Sequence, residues 1–166
     1  LLAKNHTGYK NLIKLISVAA TDNIYYHPRI DKELLEKYKE GLIVSSACLG
    51  GELCQLILDG NIKEAEASAK WYKELFGDDY YIEIMLHKSN DPEINSRVYA
   101  EQLKCNKELL AIAKRLDIKA IVTNDVHFLN KDDAEAHDAL VCMNTGRLMT
   151  DPNRLRYTQQ EWFKTP

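Results

Sequence analysis

Ile121-Val122-Thr123-Asn124-Asp125-Val126-His127-Phe128 joins an apolar run to a carboxylate and an imidazole two positions apart. Side chains at i and i+2 of extended backbone lie on the same side. The stretch therefore reads as a strand whose end presents an oxygen of Asp125 and a nitrogen of His127 to one metal ion. An Asp-x-His pair is common by chance, and a histidine at a strand end more often makes a structural hydrogen bond. The surrounding chain has to decide between the two readings.

Working outward, residues 119–123 form the body of that strand, and two similar runs precede it. Residues 42–46 (Leu-Ile-Val-Ser-Ser) are apolar and partly β-branched, the pattern of a buried strand. Residues 80–86 are rich in aromatic and β-branched side chains, and the polar tract 87–91 ends them. Helical patterns fill the intervals. Asn61 with Glu64 has the spacing of a capping box, and Ile62, Ala65, Ala69, Tyr72 and Phe76 then recur in steps of three and four up to Gly77. Pro92 suits a first helical position, and Val98, Cys105, Leu109, Ile112 and Leu116 continue one stripe. Asp132 with Glu135 predicts the cap of a last helix that runs through Leu140 and Met143 to Gly146.

At the front, Leu1-Leu2-Ala3 reads as the end of a buried strand, and Thr7 as the N-cap of a helix over 8–20. Pro28 disfavours helix at His27, so residues 25–29 are extended and His27 is a surface loop residue. Asp31 opens a helix over 32–39 that Gly41 closes, and the segment from Asp151 is irregular. Strands that alternate with helices place the chain in the α/β class, with parallel strands and covering helices. In such folds chemistry gathers at the carboxyl ends of the strands. Cys48 lies just past the 42–46 strand, as Asp125 and His127 lie past 119–123, and all three are competent zinc ligands. Asp125 and His127 also suit manganese or iron. Alone, Cys48 would be a small buried apolar residue.

With 166 residues, 45% of them apolar, the chain can bury one core of ordinary domain size. A formal net charge of −3 excludes a general electrostatic grip on nucleic acid or an anionic membrane. No apolar run approaches the roughly 18 residues of a membrane span, and no secretory signal opens the chain. Cysteines at 48, 54, 105 and 142 contain no Cys-x-x-Cys, so reduced thiols and a cytoplasmic location are expected. The absence of an initiator Met and the plain ending at Pro166 read as an excerpt from a longer protein.

Several segments resemble one known family: residues 1–5, 7–12, 46–52 (Ser-Ala-Cys-Leu-Gly-Gly-Glu), 123–129, 133–138 and 151–154. They are similar to the polymerase and histidinol phosphatase (PHP) domain of bacterial DNA polymerase III alpha subunits. The resemblance implies a distorted, TIM-like β/α barrel of about seven strands. Residues 1–146 would form its second half, and 147–166 a tail leading to the next region of the polymerase. Residues 90–105 are the least similar to the family.

The resemblance also implies a metal site at the barrel mouth. Cys48 matches the family's third ligand motif, and Asp125 and His127 match its fourth. The remaining ligands, a His-x-His among them, belong before Leu1. Divalent zinc, manganese or magnesium is the implied cofactor. His87 and His137 are possible site neighbours: His87 follows a strand, where a loop histidine is the plainer reading, and His137 sits in a capped helix. His6 reads as a solvated residue before a helix cap. Arg147, Arg154 and Arg156 form a basic tract that either meets phosphate or is solvated surface.

Three function classes follow. The first is the PHP part of a DNA-directed DNA polymerase, with metal-dependent phosphoester hydrolysis and 3'–5' exonuclease proofreading; its partners are DNA and other replicase subunits, with no membrane. The second is a free-standing PHP phosphatase, and the third a module that braces the polymerase without hydrolysis. The nucleotidyltransferase site lies outside this chain. With the upstream ligands absent, the chain alone is expected to be inactive and to associate with itself through uncovered strand edges.

Overall fold

A computed structural model describes residues 1–165. Its main sheet has four strands in the order β1-β4-β5-β6: β1 (Leu2–Ala3), β4 (Leu42–Ser45), β5 (Tyr80–Ile84) and β6 (Lys119–Val122). β4, β5 and β6 are mutually parallel, with Val44 beside Tyr80 and Tyr81 beside Lys119. β1 alone runs antiparallel, Leu2 facing Ile43. Parallel neighbours need long crossovers, and helices supply them. α3 (Glu52–Leu58) and α4 (Ile62–Phe76) link β4 to β5. α5 (Pro92–Ile94) and α6 (Ala100–Arg115), joined by a π-helical turn over Asn95–Tyr99, link β5 to β6. The α/β reading with parallel strands and covering helices holds, as part of a barrel.

The core lies between this sheet and its helices. Ala65 and Ala69 of α4 are fully buried, small enough to let the helix approach the strands. Leu109 and Ile112 of α6 meet Val44 and Ile82 in the same cluster. The predicted stripe on α4 and the one on α6 are therefore the core-facing sides.

Local details depart from the sequence expectations where a tertiary partner competes with propensity. α1 (His6–Thr21) takes its cap from Asn5, whose side chain accepts from the Gly8 N–H at 2.9 Å, so Thr7 and His6 lie inside the helix. Asn5 is held there because Lys4 N–H donates to the Gly41 carbonyl at 2.8 Å. Gly8 then packs on Gly41 so closely that a Cβ on Gly8 would stand 1.7 Å from the Gly41 oxygen. Residues 25–29 are not extended throughout: Tyr26 turns in the left-handed region (φ 61°) between β2 (Ile24–Tyr25) and β3 (His27–Pro28), which pair as a hairpin, with His27 exposed as expected. α2 (Lys32–Lys37) is capped by Asp31 as read. Asn61 makes no capping hydrogen bond. For α7 (Ala134–Thr145) the reciprocal contact is two residues earlier than read: Asp133 accepts from the Asn130 N–H at 2.8 Å, in the 3-10 turn that leads in. Gly146 closes α7 in the left-handed region, as read.

Two strands taken as buried are not. β1 is exposed at both residues, and all four residues of β6 are exposed, Val122 to 86%. Both are the edge strands of the sheet, and no described element covers their outer side.

Candidate functional site

The three parallel strands deliver three loops to one end of the sheet. After β4 the chain turns through Ser46, Ala47 (φ 63°) and Cys48 into α3. Ser46 ties this loop to β5: its N–H donates to the Tyr81 carbonyl at 3.0 Å, and its Oγ accepts from the Glu83 N–H at 2.9 Å. Gly51 lets the loop close, since a Cβ there would stand 2.4 Å from the Ser46 oxygen. Cys48 is left half-buried at the mouth of the turn.

The loop after β5 buries His87 to 3% exposure. Its backbone N–H donates to Gln102 Oε1 at 2.7 Å, and Gln102 Nε2 lies 3.1 Å from its Nδ1. After β6, Thr123 donates to Glu83 through Oγ1 at 2.6 Å, and extended backbone stops there. Asp125 has φ 45°, and His127 Nδ1 sits 2.6 Å from the Asp125 carbonyl oxygen. The period-two argument for the Asp125/His127 pair therefore does not apply, because the left-handed residue between strand and imidazole turns the chain. His127 is exposed, with its ring against Tyr157 (4.7 Å) and His137 (5.7 Å). His137 reaches the same strand-end loop through ring contacts, stacking on Phe128 at 5.0 Å.

The segment after α7 is irregular, as read, yet it is built into the site. Asn124 donates through Nδ2 to the Gln160 and Trp162 carbonyls at 3.0 and 2.7 Å, and the His127 N–H donates to the Glu161 carbonyl at 2.7 Å. This places Thr158 (2% exposed) and Glu161 (3%) inside the molecule. Glu161 Oε1 accepts from the Thr158 N–H at 3.1 Å and from its hydroxyl at 2.6 Å. Glu161 Oε2 and His87 Nε2 are buried with no hydrogen-bond partner. Buried polar atoms are seldom left so, and the cost is about 1–3 kcal/mol each.

These loops enclose a cleft of about 440 Å³, lined among others by Cys48, His87, Arg97, Asp125, Tyr157 and Glu161. Burial pushes the Tyr157 phenol up, with negative charge at Asp125, Glu161 and Cys48 adding to the effect. Gln102, Tyr157 and Glu161 were not picked out from the sequence. Thr158-x-x-Glu161 has the spacing of a reciprocal capping pair and is the one signal that points to that segment. The basic tract is not a free phosphate site: Arg147 pairs with Asp151, Arg154 with Asp138 and Arg156 with Asp91.

The Cys48 thiol and the Asp125 carboxylate, both on the cleft, are donors that fit a divalent ion, whereas His127, the third expected ligand, is not among the residues that line it. The spacing is wider than an ion needs: among the described residues no group of three or more His, Cys, Asp or Glu is close enough to hold one. Also among the described residues, no helix is long and apolar enough to cross a membrane.

Comparison with known proteins gives an independent line. The chain is 41% identical over 163 residues to the DNA polymerase III subunit alpha of Borreliella burgdorferi, covering 98% of this chain and 13% of that protein. It is 43% identical over 164 residues to that of Treponema pallidum, with the same two shares, and 41% identical to that of Deinococcus radiodurans over 163 residues, 98% of this chain and 12% of that one. The chain thus spans about an eighth of the length of these curated relatives. Residues 1–87 match the PHP domain family, a span that includes Cys48 and ends at His87. That span is 87 of the chain's 166 residues and contains β4 and β5 with the loops that open the cleft, so the chain belongs to the PHP domain family.

Proposed function

We propose that this chain is the PHP part of a replicative DNA polymerase III alpha subunit and that its strand-end cleft serves metal-dependent hydrolysis of a phosphoester, with DNA 3' ends as the substrate class. The observation that carries the reading is the meeting of Cys48, His87, Asp125 and Glu161 on one cleft at the carboxyl ends of parallel strands. Chemistry in such folds sits at that end of the sheet, and the relatives that share the chain's full span are polymerase alpha subunits. DNA and other replicase subunits are then its partners, and the cytoplasm its place of action.

Cys48, Asp125 and His127 are the residues proposed to hold divalent zinc, manganese or magnesium, together with donors outside this chain. Bound there, the metal supplies Lewis acidity to a phosphoryl oxygen. The chain's own contribution is to position and to exclude. Gln102 orients the His87 ring, Thr158 holds one oxygen of Glu161, and the burial of Thr158 and Glu161 keeps water from the Glu161 carboxylate.

A metal titration coupled to a 3'–5' exonuclease assay, on a polymerase chain of the relatives' length, tests this. Metal-dependent release of nucleotides that falls at least a hundredfold in Asp125→Ala is expected. Tight metal binding with no hydrolysis would favour a PHP module that braces the polymerase. For this chain alone, weak metal binding without turnover is expected, because no three of its described donors converge.

A further inference from the structure

Gln102 is buried at 5% exposure, and its two ends meet two groups of one residue. The His87 backbone N–H can only donate, so the amide end 2.7 Å from it is the oxygen. The other end is then NH2, which can only donate, and it faces His87 Nδ1 at 3.1 Å. Nδ1 must accept, and the neutral imidazole carries its proton on Nε2. A ligand imidazole needs a bare nitrogen toward its metal, and the only nitrogen left for a cleft ligand is this Nε2–H. Gln102 therefore selects against metal ligation by His87 and for hydrogen-bond donation from it. Nε2 is buried and has no acceptor.

Arg97 lines the same cleft and has no ion-pair partner among the described residues, whereas Arg156 beside it is held by Asp91. Arg97 projects from the π-helical turn, whose extra residue shifts the side chains that follow α5 relative to those of a regular helix. Such turns occur often at functional sites. Cys48, Asp125, Glu161, His87 and Arg97 all line the cleft, and Glu161 Oε1 lies 3.9 Å from His87 Nδ1.

We infer that His87 Nε2–H and the Arg97 guanidinium form a subsite for a phosphoryl oxygen, with Gln102 as the positioning residue that fixes the imidazole as a donor. The inference rests on the phosphoesterase reading for the identity of the anion: a phosphoester brings anionic oxygens to these two donors. Arg and a neutral N–H suit such an oxygen through charge-assisted hydrogen bonds.

Long-range ¹H–¹⁵N spectra of the ¹⁵N-histidine-labelled chain, titrated with inorganic phosphate in the absence of metal, test it. His87→Gln identifies the signal. The Nε2–H tautomer is expected, with the Nε2 resonance moving as phosphate binds. Gln102→Glu offers Nδ1 an acceptor, so it should reverse the tautomer and abolish that movement. Arg97→Ala, an exposed substitution that leaves the core untouched, should weaken phosphate binding about tenfold. An Nδ1–H tautomer in the unaltered chain, a His87 signal indifferent to phosphate, or unchanged binding in Arg97→Ala would each overturn the subsite. Metal-dependent hydrolysis with an unmoved His87 would overturn it while leaving the phosphoesterase reading intact. Phosphate binding at His87 in a protein that never hydrolyses would support it while removing that reading.

Discussion

Gly8 and Gly41 meet where the first helix leaves the edge of the sheet, and neither position has room for a side chain. A Cβ on Gly8 would overlap the Gly41 backbone, and Gly41 has φ 74° with the Asn5 side chain 2.4 Å from where its own Cβ would be. Gly8→Ala should therefore cost about 2–3 kcal/mol in urea unfolding, well above the gain from better helix propensity. Asp91 carries two roles at once: Oδ1 accepts from the Glu93 N–H at 2.9 Å to start α5, and Oδ2 accepts from Arg156 at 2.5 Å. The Arg156 hydrogen bond, against a smaller opposing effect of burial, holds its carboxyl below the ordinary value of 3.8. A lowered folded value stabilises the protein above the unfolded value, and that stability is lost as pH falls through the folded one. Unfolding followed from pH 6 downward should show an acid loss of stability whose part below about 3.8 is diminished in Asp91→Asn, while the parts from Glu52, Glu66 and Asp78, also held below their ordinary values, remain.

Among the elements, the irregular segment after α7 behaves as a clamp without secondary structure. Its backbone is paired by Asn124, by the His127 N–H and by a parallel bridge between Phe128 and Trp162, and Lys164 returns a hydrogen bond to Asn124 Oδ1 at 3.0 Å. One side chain thus serves three partners in residues 160–164. Asn124→Ala should destabilise by about 1–3 kcal/mol. Amide exchange should then rise over residues 158–163, with β4 and β5 unaffected, and uniform loss of protection across the sheet would contradict the clamp. Because Glu161 reaches the cleft only while the clamp holds, the same substitution is expected to disturb the candidate site.

At the scale of the molecule, the sheet is covered by helices at its centre and open at β6. Val122 is 86% exposed on β6, the edge strand, and Leu129, Met143 and Phe163 are also each more than 60% exposed. Such an edge is a template for pairing with another chain. Analytical ultracentrifugation of this chain should show association that grows with concentration, and Val122→Lys should suppress it by putting a charge on that edge. A monomer at all concentrations would show that the exposed strand is protected by means other than its own side chains.

The sequence by itself determined the class of the fold. Residues 42–46 and 80–84 are apolar runs too short for helices, and the three-and-four stripes on α4 and α6 name the faces that now line the core. It also determined which loops lie at the carboxyl ends of the strands, because that position follows from element order alone. Tertiary structure decided everything that depends on what meets what. Asn5 displaced Thr7 as the cap because Lys4 and Gly41 fix the chain just before it. The Asp125/His127 pair lost its extended geometry through one left-handed residue, for which a sequence pattern carries no reliable sign. His87, a plain loop histidine by position, became a buried and oriented donor because Gln102, fifteen residues away, bonds both its backbone and its ring. Helix and strand periodicity are local properties that a window of residues expresses, whereas burial at an edge and the tautomer of an imidazole are set by neighbours brought together only when the chain folds.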